Sequence, residues 1–322
     1  MEVVTKKKLF LVAGRGHEEL SDEVAACLHV PLTSIMLSTF ANGEIYCRYG
    51  ENIRGGDVFV FQSHSDPINE HLMEQLVMID AAKRASAKRI TAVAPFYGYA
   101  RQDRKAEGRE PITARLVADM LTAAGANRVV TVDLHTGQIQ GFFDYPVDHL
   151  TAVPLLADYL RDNVDGDVTV VAPDAGGGKL AYRFARRLEA DIAFIDKRRP
   201  QGTHNVAVAT EVVGEIDGRT CLIVDDIIDT AGTVVSAADL LLDRGASEVV
   251  IAATHGLLSG PAVDRLKNSR VKEVVVTNTV PVADDKHIDN LEVLPIAPLL
   301  AYAIQAVFED RSVSELFGGD NV

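Results

Sequence analysis

The chemistry-bearing residues of the chain gather most densely between Thr220 and Thr233, in the run T-C-L-I-V-D-D-I-I-D-T-A-G-T. Two adjacent carboxylates, Asp225 and Asp226, follow the short apolar run Cys221 to Val224, whose β-branched content predicts a buried strand. A small-residue loop, Thr230-Ala231-Gly232-Thr233, then enters a helix-like stretch from Val234 to Leu242. Ligands of open α/β sheets collect at the carboxyl ends of parallel strands. A small-residue loop running into a helix N-terminus offers backbone N–H groups and hydroxyls to a phosphate. Adjacent carboxylates suit the paired hydroxyls of a sugar, so the whole run describes a pocket for a phosphorylated pentose. The plainer alternative is an acidic turn with Thr230 or Thr233 as an N-cap, which leaves two extra carboxylates at a strand end unexplained.

Other strand ends carry charge as well. Val129 to Val132 predicts a strand that ends in Asp133-Leu134-His135-Thr136, and this places His135 where ligands gather. Val168 to Ala172 leads into Asp174-Ala175-Gly176-Gly177-Gly178-Lys179, a glycine-rich loop able to present N–H groups to a diphosphate, with Asp174 free for a metal. The spacing of a P-loop is absent, and Leu180 stands where that motif needs a hydroxyl. Strand Ile192 to Ile195 is followed by Asp196-Lys197-Arg198-Arg199, three cations at a strand end. Tyr97 to Glu110 carries Arg101, Arg104, Lys105 and Arg109 with no apolar helical face, so it is either a solvated surface loop or a basic flap over a polyphosphate. In the opening stretch, Gly14-Arg15-Gly16 lacks the continuation of a dinucleotide fingerprint. Asn42-Gly43 is a hairpin turn signal between Ile35–Leu37 and Ile45–Tyr49.

The elements that must hold these groups alternate in type. Strands are expected at Leu9–Ala13, Val58–Phe61 and Arg89–Ala94, and helices at about Glu18–Leu28, Ile68–Ser86 and Ile112–Ala124. Leu72, Leu76 and Ile79 mark the apolar face of the long helix with Met73 and Val77 beside it, and Leu116 and Met120 line up on the next with Val117 and Leu121 alongside. Pro146 to Pro154 reads as the crossing between halves. The second half continues with helices at about Val153–Arg161, Leu180–Leu188 and Pro298–Phe308, and strands at Val249–Ala253, Val274–Val276 and Leu291–Leu294. Such alternation predicts two mainly parallel α/β sheets, and Val-Ala-Pro at both 93–95 and 171–173 suggests a duplicated unit. The expected division is an N-terminal domain over 1–150, a C-terminal domain over 151–304 and a tail, 305–322, packed on the first.

Bulk composition narrows the partners. The 322 residues are 47% hydrophobic and 24% charged, enough for two cores. A net charge of −14 argues against a nucleic-acid surface, so an anionic substrate must meet locally gathered cations. Cys27, Cys47 and Cys221 are scattered and read as small core residues. The charged start lacks a signal-peptide core and no apolar run reaches the ~18 residues of a membrane span, so a cytoplasmic location is expected.

Residues 224–233 resemble the signature loop that binds 5-phosphoribosyl 1-diphosphate in the type I phosphoribosyltransferase fold, a loop shared by makers, users and mere binders of that compound. Taken with F-A-N-G-E at 40–44, Y-A-R-Q-D-R-K at 99–105, V-D-L-H at 132–135, Q-I-Q-G-F-F at 138–143, A-P-D-A-G-G at 172–177 and D-K-R-R at 196–199, the chain resembles the ribose-phosphate diphosphokinases from about Phe10 to Phe317. The resemblance implies two tandem phosphoribosyltransferase-like domains in a magnesium-dependent transferase. It implies transfer of the β,γ-diphosphoryl group of ATP to the C1 hydroxyl of ribose 5-phosphate, with release of AMP, for nucleotide biosynthesis.

By the same resemblance, Phe40, Asn42, Gly43, Glu44, Arg101 and Gln102 contact ATP, and His135 and Asp174 hold the magnesium. Lys197 and Arg199 stabilise the transition state, and Arg199, Asp225, Asp226 and Asp229 to Thr233 take ribose 5-phosphate. Arg54, Ser312 and Ser314 resemble part of a phosphate/ADP regulatory site, as in the phosphate-activated class, and the family assembles as homohexamers. Asn42 stands where many relatives carry Asp, Lys179 where an arginine is common, and Gly14-Arg15-Gly16 departs from the usual opening. No residue stands out as general base for the C1 hydroxyl.

Overall fold

The computed structural model describes residues 7–198 and 208–317. It divides into two compact units, one formed by 1–151, 279–281 and 296–322, the other by 152–278 and 282–295. The first unit begins β1 (Leu9–Ala13), α1 (Glu18–Leu28), β2 (Ile35–Thr39), β3 (Ile45–Tyr49), β4 (Asp57–Phe61), α2 (Ile68–Arg84), β5 (Arg89–Ala94), α3 (Thr113–Ala124), β6 (Arg128–Val132) and β7 (Val147–Leu150). Its main sheet has the order β1-β4-β5-β6-β7, and every pairing in it is parallel. Strands covered on both faces read as continuous apolar runs, and β4 buries all of Asp-Val-Phe-Val-Phe. The parallel arrangement sends the loops after β1, β4, β5 and β6 to one edge of the sheet. β2 and β3 form a separate antiparallel hairpin.

The chain continues with α4 (Val153–Asn163), β8 (Val168–Ala172), α5 (Gly178–Leu188), β9 (Asp191–Arg198), β10 (Val208–Val213), β11 (Thr220–Ile228), α6 (Gly232–Asp243), β12 (Glu248–Gly256), α7 (Ala262–Lys267), β13 (Glu273–Thr277), β14 (Leu291–Leu294) and α8 (Ala297–Phe308). The second unit's sheet runs β10-β9-β8-β11-β12-β13-β14, parallel except for the edge strand β10. Val171, Ile223, Ile251 and Val274 of the sheet and Leu241 of α6 lie in one buried core cluster.

Several expectations change. β7 continues the first sheet inside the stretch read as a crossing, and β10 is a strand the sequence did not announce. β11 runs on to Ile228, so Asp225 and Asp226 lie within the strand instead of after it. The chain returns to the first unit at Ile296, so all of α8 belongs there, ahead of the residue-305 tail expected from sequence. On α2 the buried face is Leu72, Glu74, Gln75, Met78, Ile79 and Ala82, while Met73 is exposed. On α3 it is Ala114, Val117, Ala118 and Leu121, and Leu116 is exposed. Cys221 is buried, Cys47 half-buried, and Cys27 exposed, contrary to a core role. Burial pushes the Cys47 and Cys221 thiols up to about 11, away from reactive thiolate.

Candidate functional site

In the first unit the 40–44 turn joins β2 to β3. Phe40 and Glu44 close it through Phe40 N–H to Glu44 C=O at 2.8 Å, and Gly43 N–H returns to Phe40 C=O at 2.8 Å. Gly43 has φ +91°, the left-handed residue of a three-residue hairpin loop, in the hairpin that Asn42-Gly43 signals in the sequence. Asn42 Oδ1 accepts from Glu44 N–H at 3.2 Å, which fixes the Asn42 side chain against the turn. Phe40 stays 53% exposed and meets Tyr46 edge-on with ring centroids 5.9 Å apart. An exposed aromatic face on a rigid turn is suited to stacking on a planar base.

The segment after β5 folds back on α3. Gln102 C=O accepts from Ala114 N–H at 3.1 Å, and its Oε1 accepts from Thr113 Oγ1 at 2.6 Å. Arg101 is exposed beside it. Glu110 accepts the amides of Glu107 and Ala106, which hold its carboxyl below the usual range and shape the loop between them. Asp103 Oδ2 accepts from Thr136 Oγ1 at 2.7 Å, so the basic segment touches the loop after β6. That loop is itself held: Asp133, at φ +33°, donates its N–H to Leu150 C=O, and Leu134 N–H donates to His149 Nε2 at 2.8 Å. His135 is exposed at its tip.

In the second unit, β11 pairs with β8 only as far as Ile223 but with β12 as far as Ile228. Asp225 and Asp226 therefore stand where β11 outruns β8, on the open side of the sheet. Asp225 Oδ1 accepts from Asp226 N–H at 2.9 Å. Burial, then the Asp226 carboxylate beside it, pushes Asp225 up to about 8. The loop that follows turns at Ala231, whose φ is +58°, and Gly232 opens α6. Asp229 C=O accepts from Ser259 N–H at 2.9 Å and Thr230 C=O from Arg265 Nη1 at 2.9 Å. Thr230 and Thr233 are exposed at the N-terminal turn of α6, a geometry fitted to a phosphate. Arg265 adds a cation that sequence reading passed over; its Nη1 would lie 3.1 Å from a Cβ at Gly232.

Asp174 follows β8, and its Oδ1 accepts from Gly176 N–H at 2.9 Å and Gly177 N–H at 3.2 Å. The carboxylate is thus the cap of its own glycine loop, not the unencumbered ligand expected, and those two amides point at it. Lys197 lies on β9 opposite Ala209. The Lys197 side chain and Arg199 lie outside the described residues. Among the described residues no three His, Cys, Asp or Glu side chains gather into a metal cluster. His135 and Asp174 belong to different units. Arg54 is exposed after β3, and Ser312 and Ser314 are exposed after α8 with their hydroxyls 2.7 Å apart. No helix among the described residues is long and apolar enough to cross a membrane.

A family model described as the N-terminal domain of ribose phosphate pyrophosphokinase matches residues 9–125. A second, described as a phosphoribosyl synthetase-associated domain, matches residues 197–318. The chain is 56% identical over 313 residues to a ribose-phosphate pyrophosphokinase of Streptomyces coelicolor, covering 97% of each. It is 56% identical to one of Mycobacterium tuberculosis, covering 98% of this chain and 97% of the relative. The crystal structure of a phosphoribosylpyrophosphate synthetase from Mycobacterium smegmatis superposes with a TM-score of 0.89 at 54% identity, covering 94% of this chain and all of that one.

Proposed function

The chain belongs to the ribose-phosphate pyrophosphokinase family, and on that premise we propose that it makes 5-phosphoribosyl 1-diphosphate by moving the β,γ-diphosphoryl group of ATP to the C1 hydroxyl of ribose 5-phosphate, releasing AMP. The observation that carries the reading is the Asp225–Asp226 pair beside the 229–233 turn, in a chain that also presents the 40–44 turn and the basic segment after β5. An enzyme that only consumed the product would need the first and not the others.

In this reading Asp225 and Asp226 hold the ribose hydroxyls, and Asp229, Thr230, Ala231, Gly232 and Thr233 wrap the 5-phosphate at the start of α6. Phe40 stacks on the adenine, while Asn42, Gly43 and Glu44 present the edge of the turn to it. Arg101 and Gln102 approach the triphosphate, and closing that segment excludes water that would otherwise hydrolyse ATP. Lys197 and Arg199 neutralise charge developing on the transferred group, the main demand of such a reaction. Asp174 is a hard oxygen donor, exposed at a strand end, and would hold a magnesium ion; His135 is proposed as a nitrogen ligand for it. When bound, that ion supplies charge neutralisation on the triphosphate.

Arg54, Ser312 and Ser314 are proposed as contacts for a regulatory phosphate or ADP, and the chain as a cytoplasmic homohexamer. Incubation with ATP, magnesium and ribose 5-phosphate should yield AMP in step with product; ADP in its place would sink the assignment. Titrating inorganic phosphate against rate tests the regulatory contacts, which fail if wild type and Arg54→Ala respond alike.

A further inference from the structure

The Gly14-Arg15-Gly16 turn after β1 has no part in the reading above, yet a polar network is built around it. A Cβ at Gly14 would lie 2.5 Å from Gln62 Oε1, and one at Gly16 would lie 2.4 Å from Ser63 C=O. The space the two glycines leave is taken by Gln62, whose Oε1 accepts from Gly16 N–H at 2.8 Å and whose Nε2 donates to Glu74 Oε1 at 2.9 Å. Glu74, on α2, is 1% exposed. It also accepts from Arg15 N–H at 2.7 Å and Arg15 Nε at 2.6 Å, and its Oε2 pairs with Arg15 Nη2 at 2.5 Å. A planar guanidinium held through both Nε and Nη2 on one buried carboxylate has its orientation fixed.

That orientation aims Nη2 at Thr39 Oγ1, 3.1 Å away. Thr39 ends β2 and directly precedes Phe40. The β2–β3 hairpin shares no ladder with the main sheet of its unit. Its far end is tied to α2 by Tyr49 Oη, which donates to Met78 C=O at 3.1 Å. Arg15 ties the end that carries the turn.

We propose that Arg15, locked by buried Glu74, is a positioning residue that aims the 40–44 turn at the nucleotide and so sets the affinity for ATP without touching it. This rests on the reading of the 40–44 turn as the adenine contact. Thr39→Val removes the acceptor at nearly constant volume and is preferred to Arg15→Ala, which would strand a buried charge on Glu74. Steady-state rates of the full chain should show the KM for ATP rising about tenfold, the loss of one charge-assisted hydrogen bond. The kcat and the KM for ribose 5-phosphate should stay at the wild-type values. Thr39→Ser, which keeps the hydroxyl, should restore the wild-type KM, and Arg15→Lys, which loses the fork, should behave as Thr39→Val. Phe40→Ala separates the two layers. If it raises the KM for ATP while Thr39→Val does not, the tie is refuted and the adenine contact stands. If neither raises it, the contact and the tie fall together.

Discussion

His64 lies wholly buried after β4, where its Nδ1 accepts from Gly98 N–H at 2.9 Å and its Nε2 meets Gln75 Oε1 at 2.8 Å. The accepted amide fixes the tautomer, with the proton on Nε2. Burial holds this ring neutral by lowering it to about 4, against about 6.5 in an unfolded chain. Between those values the unfolded chain binds the extra proton, so the contribution of His64 to stability is complete above the unfolded value and is lost as pH falls toward 4. Asp225 has the opposite sign. Its folded value, pushed up to about 8, lies above that of the unfolded chain, so the folded state binds the extra proton and loses stability as pH rises through that range. Asp225→Asn is therefore expected to raise the melting temperature by several degrees at about pH 8.5 and by much less at about pH 4.5. A gain that did not change with pH would mean the pair is not holding a proton. Site-resolved hydrogen exchange should show acidification from neutral weakening the first unit, where His64 sits, while relieving the second.

At the scale of elements, the basic segment after β5 is held by few and specific contacts. Thr136 Oγ1 to Asp103 Oδ2 joins it to the loop bearing His135, and Gln102 C=O joins it to the start of α3. Thr136→Val cuts the first tie without disturbing the buried strand β6. Limited proteolysis at arginines 101, 104 and 109 should then run several-fold faster than in wild type, with unchanged cleavage elsewhere; equal rates would show that the tie does not hold the segment. The main strands and helices were legible because their apolar runs are long and their periods distinct. β7 and β10 were not: β7 is a four-residue run, V-D-H-L, with polar residues in its middle, and β10, V-A-T-E-V-V, is an antiparallel edge strand with Thr and Glu inside its run. Part of the buried face of α2 was missed for a different reason. Glu74 and Gln75 are buried because Arg15, Gln62 and His64 satisfy them, and pattern reading assigns polar residues to the outside. The same blindness hid Arg15 and Arg265, whose partners lie 59 and 35 positions away in sequence. The sugar-phosphate loop was legible because all its groups lie within one short run. The end of β11 was misplaced because only pairing with β12 shows that the strand continues past its carboxylates.

For the whole molecule, the consequence of the chain path is that the first unit is completed last. α8 packs on α1 and buries Leu300, Ile304 and Val307, although some 140 residues of the other unit intervene. After α8, Asp310 pairs with Lys7 and, at 2.7 Å, with Arg89, which also pairs with Asp57 at the start of β4. The tail carrying Ser312 and Ser314 thus leaves from a fixed point. Trimming Ile304, which is fully buried, to alanine should cost about 2–5 kcal/mol, the usual range for such a cavity. Because α8 belongs to the first unit and packs on α1 there, that loss should fall on the first unit. Urea unfolding of Ile304→Ala followed by hydrogen exchange should show β1, β4 and β5 losing protection at lower denaturant than in wild type, while β11 and β12 keep theirs. Equal loss in both sheets would show that the units fold as one cooperative block, and the division drawn from the contacts would have no energetic meaning.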